Sequence, residues 1–202
     1  MMPWLEVRRK IMHTWPIIIP IAYRFVSKDT ALMIMLPICV FYVFCDIFRH
    51  FHEGFRQFFD RIITAHFLRE HEKNGLIGSS YFIFGALLAI ILFPKPVTIA
   101  SLYILIISDA KAAIVGTGWG KTHIFAKSLE GSIAFFVSGT IIVLLALQDK
   151  PLWGESAIHD HLGWGVLAVA GATVVELFPT GLDDNLTIPL VAGAIMMIGF
   201  WA

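Results

Sequence analysis

A carboxylate, three glycines and a lysine follow one another between residues 109 and 121, at the end of a long apolar run. We expect a cation near Asp109, because an unpaired carboxylate in apolar surroundings is energetically expensive. On a helix, Asp109 shares one face with Ala112, Ala113 and Gly116, so that another helix or a ligand could approach closely. The glycines up to Gly120 predict either a loop whose N–H groups reach phosphate oxygens or a tight turn back into a membrane.

Two lysines and a candidate helix start come next. Lys121 and Lys127 could supply point charges to a phosphate, and Ser128 resembles a helix N-cap, where free N–H groups and the helix dipole favour an anion. A capped helix after an ordinary loop would show the same residues, but their coincidence with Asp109 favours a phosphate site. Residues 116–122 read G-x-x-x-G-K-T, one residue shorter than a P-loop and placed after an apolar helix, which excludes a P-loop.

Acidic residues recur near the C-terminus. Glu176 closes another apolar run and should also meet a cation. Asp183, Asp184 and Asn185 offer the hard oxygen ligands that suit Mg²⁺, although the same three residues also form ordinary turns and helix caps. The eight histidines show no spacing typical of a closed zinc site. The two cysteines, at positions 39 and 45, are expected to be reduced packing residues.

The composition is that of a membrane protein. Of the 202 residues, 57% are apolar and only 15% are charged, whereas a soluble globular chain is about 45–50% apolar and 25% charged. The charges fall in clusters separated by long uncharged runs. Lysines and arginines number 15 and so do the acidic residues, and this balance argues against a nucleic-acid binder.

Seven apolar runs are candidate membrane spans, namely 11–27, 30–48, 75–94, 96–115, 131–148, 162–178 and 186–202. We therefore predict an all-α polytopic membrane protein with about seven transmembrane helices, in which residues 1–202 form a single membrane-embedded catalytic domain. Phenylalanines at three- and four-residue spacing over 48–67 predict an additional amphipathic helix. This helix would either continue the second span or lie along the cytoplasmic interface.

The basic residues predict the orientation. With seven spans, 11 lysines and arginines fall on one side and four on the other, so the positive-inside rule makes the first side cytoplasmic. The first group is Arg8, Arg9, Lys10, Arg49, Arg56, Arg61, Arg69, Lys73, Lys111, Lys121 and Lys127, and the second is Arg24, Lys28, Lys95 and Lys150. The predicted location is therefore the cytoplasmic membrane, with the site facing the cytoplasm.

Several short motifs together resemble one family. The pattern D-x-x-A-x-x-x-G-x-x-x-G from Asp109, followed by K-S-x-E-G-x-x-A from Lys127, resembles the CTP-dependent lipid kinases, which include dolichol and polyprenol kinases, fungal diacylglycerol kinase, and phytol and farnesol kinases. Three further stretches are similar to family motifs: R-K-x-x-H at Arg9, Lys10 and His13; R-x-x-E at Arg69 and Glu72, with Gly78 and Tyr81; and D-N-x-x-x-P from Asp184 to Pro189.

The resemblance has two departures. Ala126 and Ser128 replace a basic residue and a threonine that the family often has before its E-G pair. The related CDP-diacylglycerol synthases share the Asp-to-Glu-Gly block, but their C-terminal K-D and H-G-G-x-x-D-R signature is absent from this chain. This absence favours a kinase over a cytidylyltransferase.

The resemblance implies transfer of the γ-phosphate of a nucleoside triphosphate, CTP in this family, to the hydroxyl of a membrane lipid alcohol. On this hypothesis we assign catalytic roles to Asp109, Glu130 and Glu176, and Mg²⁺ ligation to Asp109, Asp183 and Asp184. We assign nucleotide or phosphate binding to Arg9, Lys10, Gly116, Gly120, Lys121, Lys127, Ser128, Gly131 and Asn185, with support from His13, Arg69, Glu72 and Lys111. Either Glu130 or Glu176 could accept the proton of the lipid hydroxyl.

Two other functions use the same residues. A cytidylyltransferase would make a CDP-lipid and release pyrophosphate. A small ion-coupled transporter would use Asp109, Lys111 and Glu176 as a relay, although it predicts polar residues near the middle of the membrane, and here they crowd the cytoplasmic ends. The sequence leaves the identity of the lipid alcohol and the oligomeric state open.

Overall fold

The structure is a computed structural model that describes residues 14–59, 75–125, 127–153, 157–178 and 181–201. The predicted site residues Arg9, Lys10, His13, Arg69 and Glu72 lie outside the described residues. The same is true of the second half of the predicted amphipathic helix.

The described chain is almost entirely helical. A 3₁₀ turn, Trp15–Ile17, leads into α1 (Ile18–Phe25), and the helices that follow are α2 (Lys28–Phe48), α3 (Glu53–Phe59), α4 (Gly78–Leu92), α5 (Lys95–Tyr103), α6 (Asp109–Trp119), α7 (Leu129–Leu147), α8 (Lys150–Trp153), α9 (Ala157–Leu177) and α10 (Asp184–Trp201). A π-helical turn, Ile104–Ser108, joins α5 to α6. Two short strands, β1 (His123–Ile124) and β2 (Lys127–Ser128), pair antiparallel before α7.

Among the described residues, three helices are long and apolar enough to cross a membrane: Lys28–Phe48, Lys95–Trp119 and Leu129–Leu147. Gly78–Leu92 and Asp184–Gly199 are shorter apolar helices. The fold is thus that of an all-α membrane protein, as predicted. From the second predicted span to the seventh, the described helices begin and end within five residues of the predicted bounds, because apolar run length and helix length have the same cause in a membrane. In the first span, 11–27, α1 begins only at Ile18.

The continuous helix from Lys95 to Trp119 is the centre of the bundle. Its apolar window is 56% buried inside the protein, against 22% for α2, which lies at the periphery. Leu102, Ile104 and Leu105 are fully enclosed and pack with Phe135 of α7 and Val169 of α9. This central position fixes the end of α5 and the start of α6, where Asp109 lies.

The structure differs from the sequence analysis at two elements. The helix predicted over 48–67 is not continuous, since α2 ends at Phe48 and α3 begins at Glu53 after a turn. The turn lets Phe55 fold back against Phe48, with ring centroids 5.1 Å apart. The β1–β2 hairpin was also not predicted, because strands of two residues leave no periodic pattern in the sequence.

Candidate functional site

The hairpin before α7 positions Lys127. Phe125 makes its turn with a φ of 55°, and the N–H of Leu129 donates to the carbonyl of Thr122 at 2.8 Å. Ser128 then caps α7 by accepting a hydrogen bond from the N–H of Gly131 at 3.1 Å. This confirms the predicted N-cap, which fixes the direction of the chain at Lys127.

Three charged side chains meet where α7, α9 and α10 come together. The Lys127 Nζ lies 2.9 Å from a carboxylate oxygen of Glu176 and 2.6 Å from one of Asp184. Glu176 is 4% exposed, and its other oxygen accepts a hydrogen bond from the hydroxyl of Ser132 at 3.1 Å. We call Lys127, Glu176 and Asp184 the lysine cluster. Lys127 is the cation that the sequence predicted beside Glu176.

Lys127 remains charged at neutral pH. Burial of the ammonium by itself lowers the pKa of Lys127, but the carboxylates of Asp184 and Glu176 raise it by more, so that the pKa lies above that of an ordinary lysine. A raised lysine pKa contributes stability that is complete below the unfolded pKa and is lost only as the pH rises through the folded pKa. The ammonium of Lys127 therefore keeps its charge across the neutral range.

Small residues let α6 and α7 approach closely beside this cluster. A Cβ added at Gly131 would lie 2.8 Å from the carbonyl oxygen of Ala112, and one at Gly116 would lie 2.9 Å from the hydroxyl oxygen of Ser128. The hydroxyl of Ser128 lies in the same crossing. The small-residue face that the sequence predicted after Asp109 is thus a contact between helices.

The prediction of a glycine loop starting at Gly116 was wrong. Residues up to Trp119 are helical, and the N–H of Gly120 donates to the carbonyl of Gly116 at 3.1 Å. Glycine is required here for close packing, which a sequence does not distinguish from loop flexibility. Only the N–H groups after Gly120 lie outside the helix, and that of Thr122 donates to both carboxylate oxygens of Glu130 at 3.2 and 3.3 Å.

Asp109 is the first residue of α6 and is half-buried. The π-helical turn directly before it departs from regular helix geometry, and such turns are frequent at functional sites. Within the described residues, no three histidine, cysteine, aspartate or glutamate side chains are grouped closely enough to hold a metal ion. Asp109, Asp183 and Asp184 therefore do not form a closed carboxylate cage.

The start of α10 carries the remaining acidic residues. Asp183 caps this helix, since its carboxylate accepts the N–H of Asn185 at 2.9 Å and its carbonyl accepts those of Leu186 and Thr187. The side-chain amide of Asn185 donates to the carbonyl of Gly78 at the start of α4, at 3.1 Å. The capping alternative that the sequence allowed thus describes Asp183, whereas Asp184 belongs to the lysine cluster.

Two further basic residues of the predicted set belong to the described part of the chain. Lys121 is exposed after α6, and Lys111 is exposed on that helix. Sequence reasoning did not assign a role to Ser132, which binds Glu176. The only signal for Ser132 is its position four residues after Ser128, on the same face of α7.

A capped helix start and the basic side chains of Lys127 and Lys121, at one end of an apolar bundle, suit an anion that reacts at a membrane surface. Similarity to known proteins supports this chemistry. The chain is 30% identical to a CTP-dependent diacylglycerol kinase of Schizosaccharomyces pombe over 161 residues, which cover 76% of this chain and 73% of the relative. The chain belongs to the CTP-dependent lipid kinase family.

Two other relatives extend this comparison. Dolichol kinase of Saccharomyces cerevisiae is 29% identical over 133 residues, which cover 64% of this chain and 24% of that kinase. An uncharacterized protein of Rickettsia prowazekii is 35% identical over 196 residues, which cover 92% of this chain and 90% of the relative. No model of a protein family and no solved structure matches the chain. The family assignment makes this membrane protein a lipid kinase that uses a nucleotide and a lipid.

Proposed function

We propose that this lipid kinase transfers the γ-phosphate of CTP to the hydroxyl of a membrane lipid alcohol at the end of the bundle that carries the lysine cluster. The observation that carries the proposal is the convergence of Lys127, Glu176 and Asp184, from three separate segments, in a chain of this family. Phosphoryl transfer depends mainly on positioning and on neutralisation of charge. The ammonium of Lys127 would supply positive charge, and the two carboxylates would hold a divalent cation.

Diacylglycerol is the acceptor that we favour. The fungal relatives named CTP-dependent diacylglycerol kinase match a larger share of this chain than dolichol kinase does, with 76% against 64% for the first of them. A lipid that lies in the bilayer can enter between helices with its hydroxyl at the charged end. Polyprenols and shorter prenols are the alternative acceptors.

The basic residues and the helix start would hold the nucleotide. Lys127 and Lys121, together with the N–H groups around the start of α7, would bind its phosphates, while Asn185 supports the neighbouring start of α10. Arg9, Lys10, His13, Arg69 and Glu72 complete the set that the family resemblance implies. Glu130 or Glu176 would accept the proton of the lipid hydroxyl.

The carboxylates of the lysine cluster fit a magnesium ion. Carboxylates of Glu176 and Asp184 reach one shared cation, the ammonium of Lys127, from two different helices. Mg²⁺ commonly uses one or two carboxylates together with phosphate oxygens and waters, so a cage of three carboxylates is not required. We propose that Asp184 and Asp109, with Asp183 and Glu176 in support, hold Mg²⁺, which would neutralise charge on the transferred phosphoryl group.

We also propose a membrane arrangement with seven crossings and the lysine cluster in the cytoplasm. This arrangement places all 11 basic residues of the larger group on the cytoplasmic side. It also gives the site access to cytoplasmic nucleotides and to lipid in the inner leaflet.

The experiment uses the purified full-length chain in lipid-containing micelles with Mg²⁺. CTP or ATP labelled at the γ position is supplied with diacylglycerol, a polyprenol, phytol, farnesol or phosphatidic acid, and labelled lipid is measured. We expect label in phosphatidic acid formed from diacylglycerol, and faster transfer from CTP than from ATP. Transfer to a prenol alone would replace the acceptor, and no labelled lipid with any alcohol would refute the proposal.

A further inference from the structure

An ion pair that the family motifs do not include is buried at the end of α2. The Arg49 Nε donates to a carboxylate oxygen of Asp46 at 2.6 Å, and the side chains of Asp46 and Arg49 are 0% and 1% exposed. Burying two charges is expensive unless their remaining hydrogen-bonding groups are also satisfied. The two side chains therefore need further hydrogen-bonding partners.

The pair fastens the start of α4. The second carboxylate oxygen of Asp46 accepts the N–H of Ile77 at 2.9 Å and the hydroxyl of Ser80 at 2.5 Å. A terminal nitrogen of Arg49 donates to the carbonyl of Gly75 at 2.7 Å, and its guanidinium lies over the ring of Phe59. Asp46 thus acts as a cap on α4 that is supplied by a different helix, with its charge balanced by Arg49.

The start of α4 in turn holds the start of α10. The carbonyl of Gly78 accepts the side-chain amide of Asn185 at 3.1 Å. About two turns further along, a Cβ added at Gly85 would lie 2.7 Å from the backbone carbonyl oxygen of Asn185. The next residue toward the N-terminus is Asp184, which contacts Lys127. A continuous series of contacts therefore runs from Asp46 through α4 to the lysine cluster.

We infer that Asp46 and Arg49 are positioning residues, which set the place of Asp184 in the lysine cluster through the starts of α4 and α10. This inference rests on the proposed function for its kinetic part, since it concerns the same site. Neither residue touches the cluster, so their effect would pass through the contact of Asn185 with Gly78.

The ion pair between Arg24 and Asp149 offers a matched control. The guanidinium of Arg24 donates to both carboxylate oxygens of Asp149, at 2.8 and 2.7 Å. Asp149 follows the far end of α7, whose 19 residues separate it by about 28 Å from the end that carries Lys127. The pair joins two segments as the buried pair does, but it has no part in the site.

The experiment compares the full-length wild-type chain with Asp46→Asn and Asp149→Asn. Three quantities are measured on folded protein: kcat, KM for CTP, and the hydrogen exchange of the N–H groups of Leu186 and Thr187, which bond to the carbonyl of Asp183. We expect Asp46→Asn to lower kcat about tenfold and to speed this exchange about tenfold, as the loss of an outer supporting contact would. Asp149→Asn should lower the thermal midpoint without changing kcat or the exchange.

Each outcome decides the inference. If Asp46→Asn only lowers the thermal midpoint, as the control does, the pair is structural and the inference fails. If Asp46→Asn does not fold, Ser80→Ala removes one donor to the same carboxylate, and unchanged kcat and exchange in that variant would overturn the inference. If the wild-type chain transfers no phosphate, the proposed function fails, whereas the exchange comparison still decides whether Asp46 holds the start of α10.

Discussion

The ammonium of Lys127 lies between two carboxylates that belong to different helices, and this contact defines the site at the scale of single residues. Glu176 is almost fully buried, so its charge depends on Lys127 and on the hydroxyl of Ser132. Removing one partner of such a pair costs more than the pair contributes, because the other charge is left buried. Lys127 thus contributes to stability and, in the proposed function, to phosphate binding.

The first prediction separates these two roles of Lys127. Lys127→Ala should lower the free energy of unfolding by about 2 kcal/mol, because Glu176 loses its cation, and it should lower kcat/KM for CTP by about 100-fold. Lys127→Arg keeps the charge and should recover most of the stability but less of the rate, since a planar guanidinium presents its donors differently. Chemical denaturation and steady-state kinetics measure both quantities.

Lys28→Ala is the control for this prediction. Lys28 donates to the carbonyl of Ile91, far from the cluster along the chain and outside the predicted site. Its removal should leave kcat/KM unchanged. If Lys127→Ala is as active as Lys28→Ala, Lys127 does not bind the nucleotide.

The crossing of α6 and α7 explains the glycines at the scale of elements. The sequence showed that small residues share a face after Asp109, and the structure shows that this face meets Gly131 and Ser128 at backbone distance. The two helix starts of the site, those of α7 and α10, are held by neighbouring helices through contacts that leave no space for a side chain. The geometry of the site is therefore a property of the packing.

The second prediction compares two glycines close to this crossing. Gly131→Ala would place a methyl group 2.8 Å from the carbonyl oxygen of Ala112, so it should lower the free energy of unfolding by about 2 kcal/mol and reduce kcat. Gly118→Ala meets no atom within 4 Å and should raise that free energy by about 0.5 kcal/mol, because alanine favours the helix. Thermal unfolding and kinetics of the two variants provide the test, and equal stabilities would contradict the packing argument.

At the scale of the whole molecule, the charges are divided between two ends of an apolar bundle. The lysine cluster and Lys121 lie at one end, and the Arg24–Asp149 pair lies at the other. Positive charge retained on one side of a membrane sets the orientation of a polytopic chain. In the proposed arrangement, only the end with the lysine cluster faces the cytoplasmic nucleotides.

The third prediction tests this orientation by thiol labelling. In a Cys39→Ala/Cys45→Ala background, His123→Cys should react with a membrane-impermeant reagent only after the expressing cells are opened. Lys150→Cys should react in intact cells, because it lies at the opposite end of α7. The reverse pattern would place the lysine cluster outside the cell and overturn the proposed topology.

The sequence was sufficient for most of the helices, but not for the way in which the candidate site residues meet. Apolar runs predicted α2, α4 and α7 to within a few residues, because a membrane ties helix length to run length. The need of Glu176 for a cation was also evident from its surroundings. The identity of that cation depends on packing between distant segments, about which helical periodicity carries no information. The burial of the Asp46–Arg49 pair depends on such packing as well.

Glycine was the most misleading residue in the sequence. The run from Gly116 to Gly120 is compatible with a flexible phosphate loop and with a tight helix crossing, since both need the absence of a Cβ. The structure shows the crossing, with α6 helical up to Trp119. The predicted phosphate site must therefore use the hairpin and the start of α7 in place of a loop within 116–119.

The position of the label that the lipid acquires decides whether a terminal phosphate is transferred to a lipid hydroxyl. Purified wild-type chain is incubated with diacylglycerol, Mg²⁺ and CTP that carries label at either the α or the γ position. We expect the lipid product to acquire label only from γ-labelled CTP, and Lys127→Ala nearly to abolish this transfer. Label in the lipid from α-labelled CTP would show transfer of the cytidylyl group with release of pyrophosphate, and it would contradict the kinase reaction.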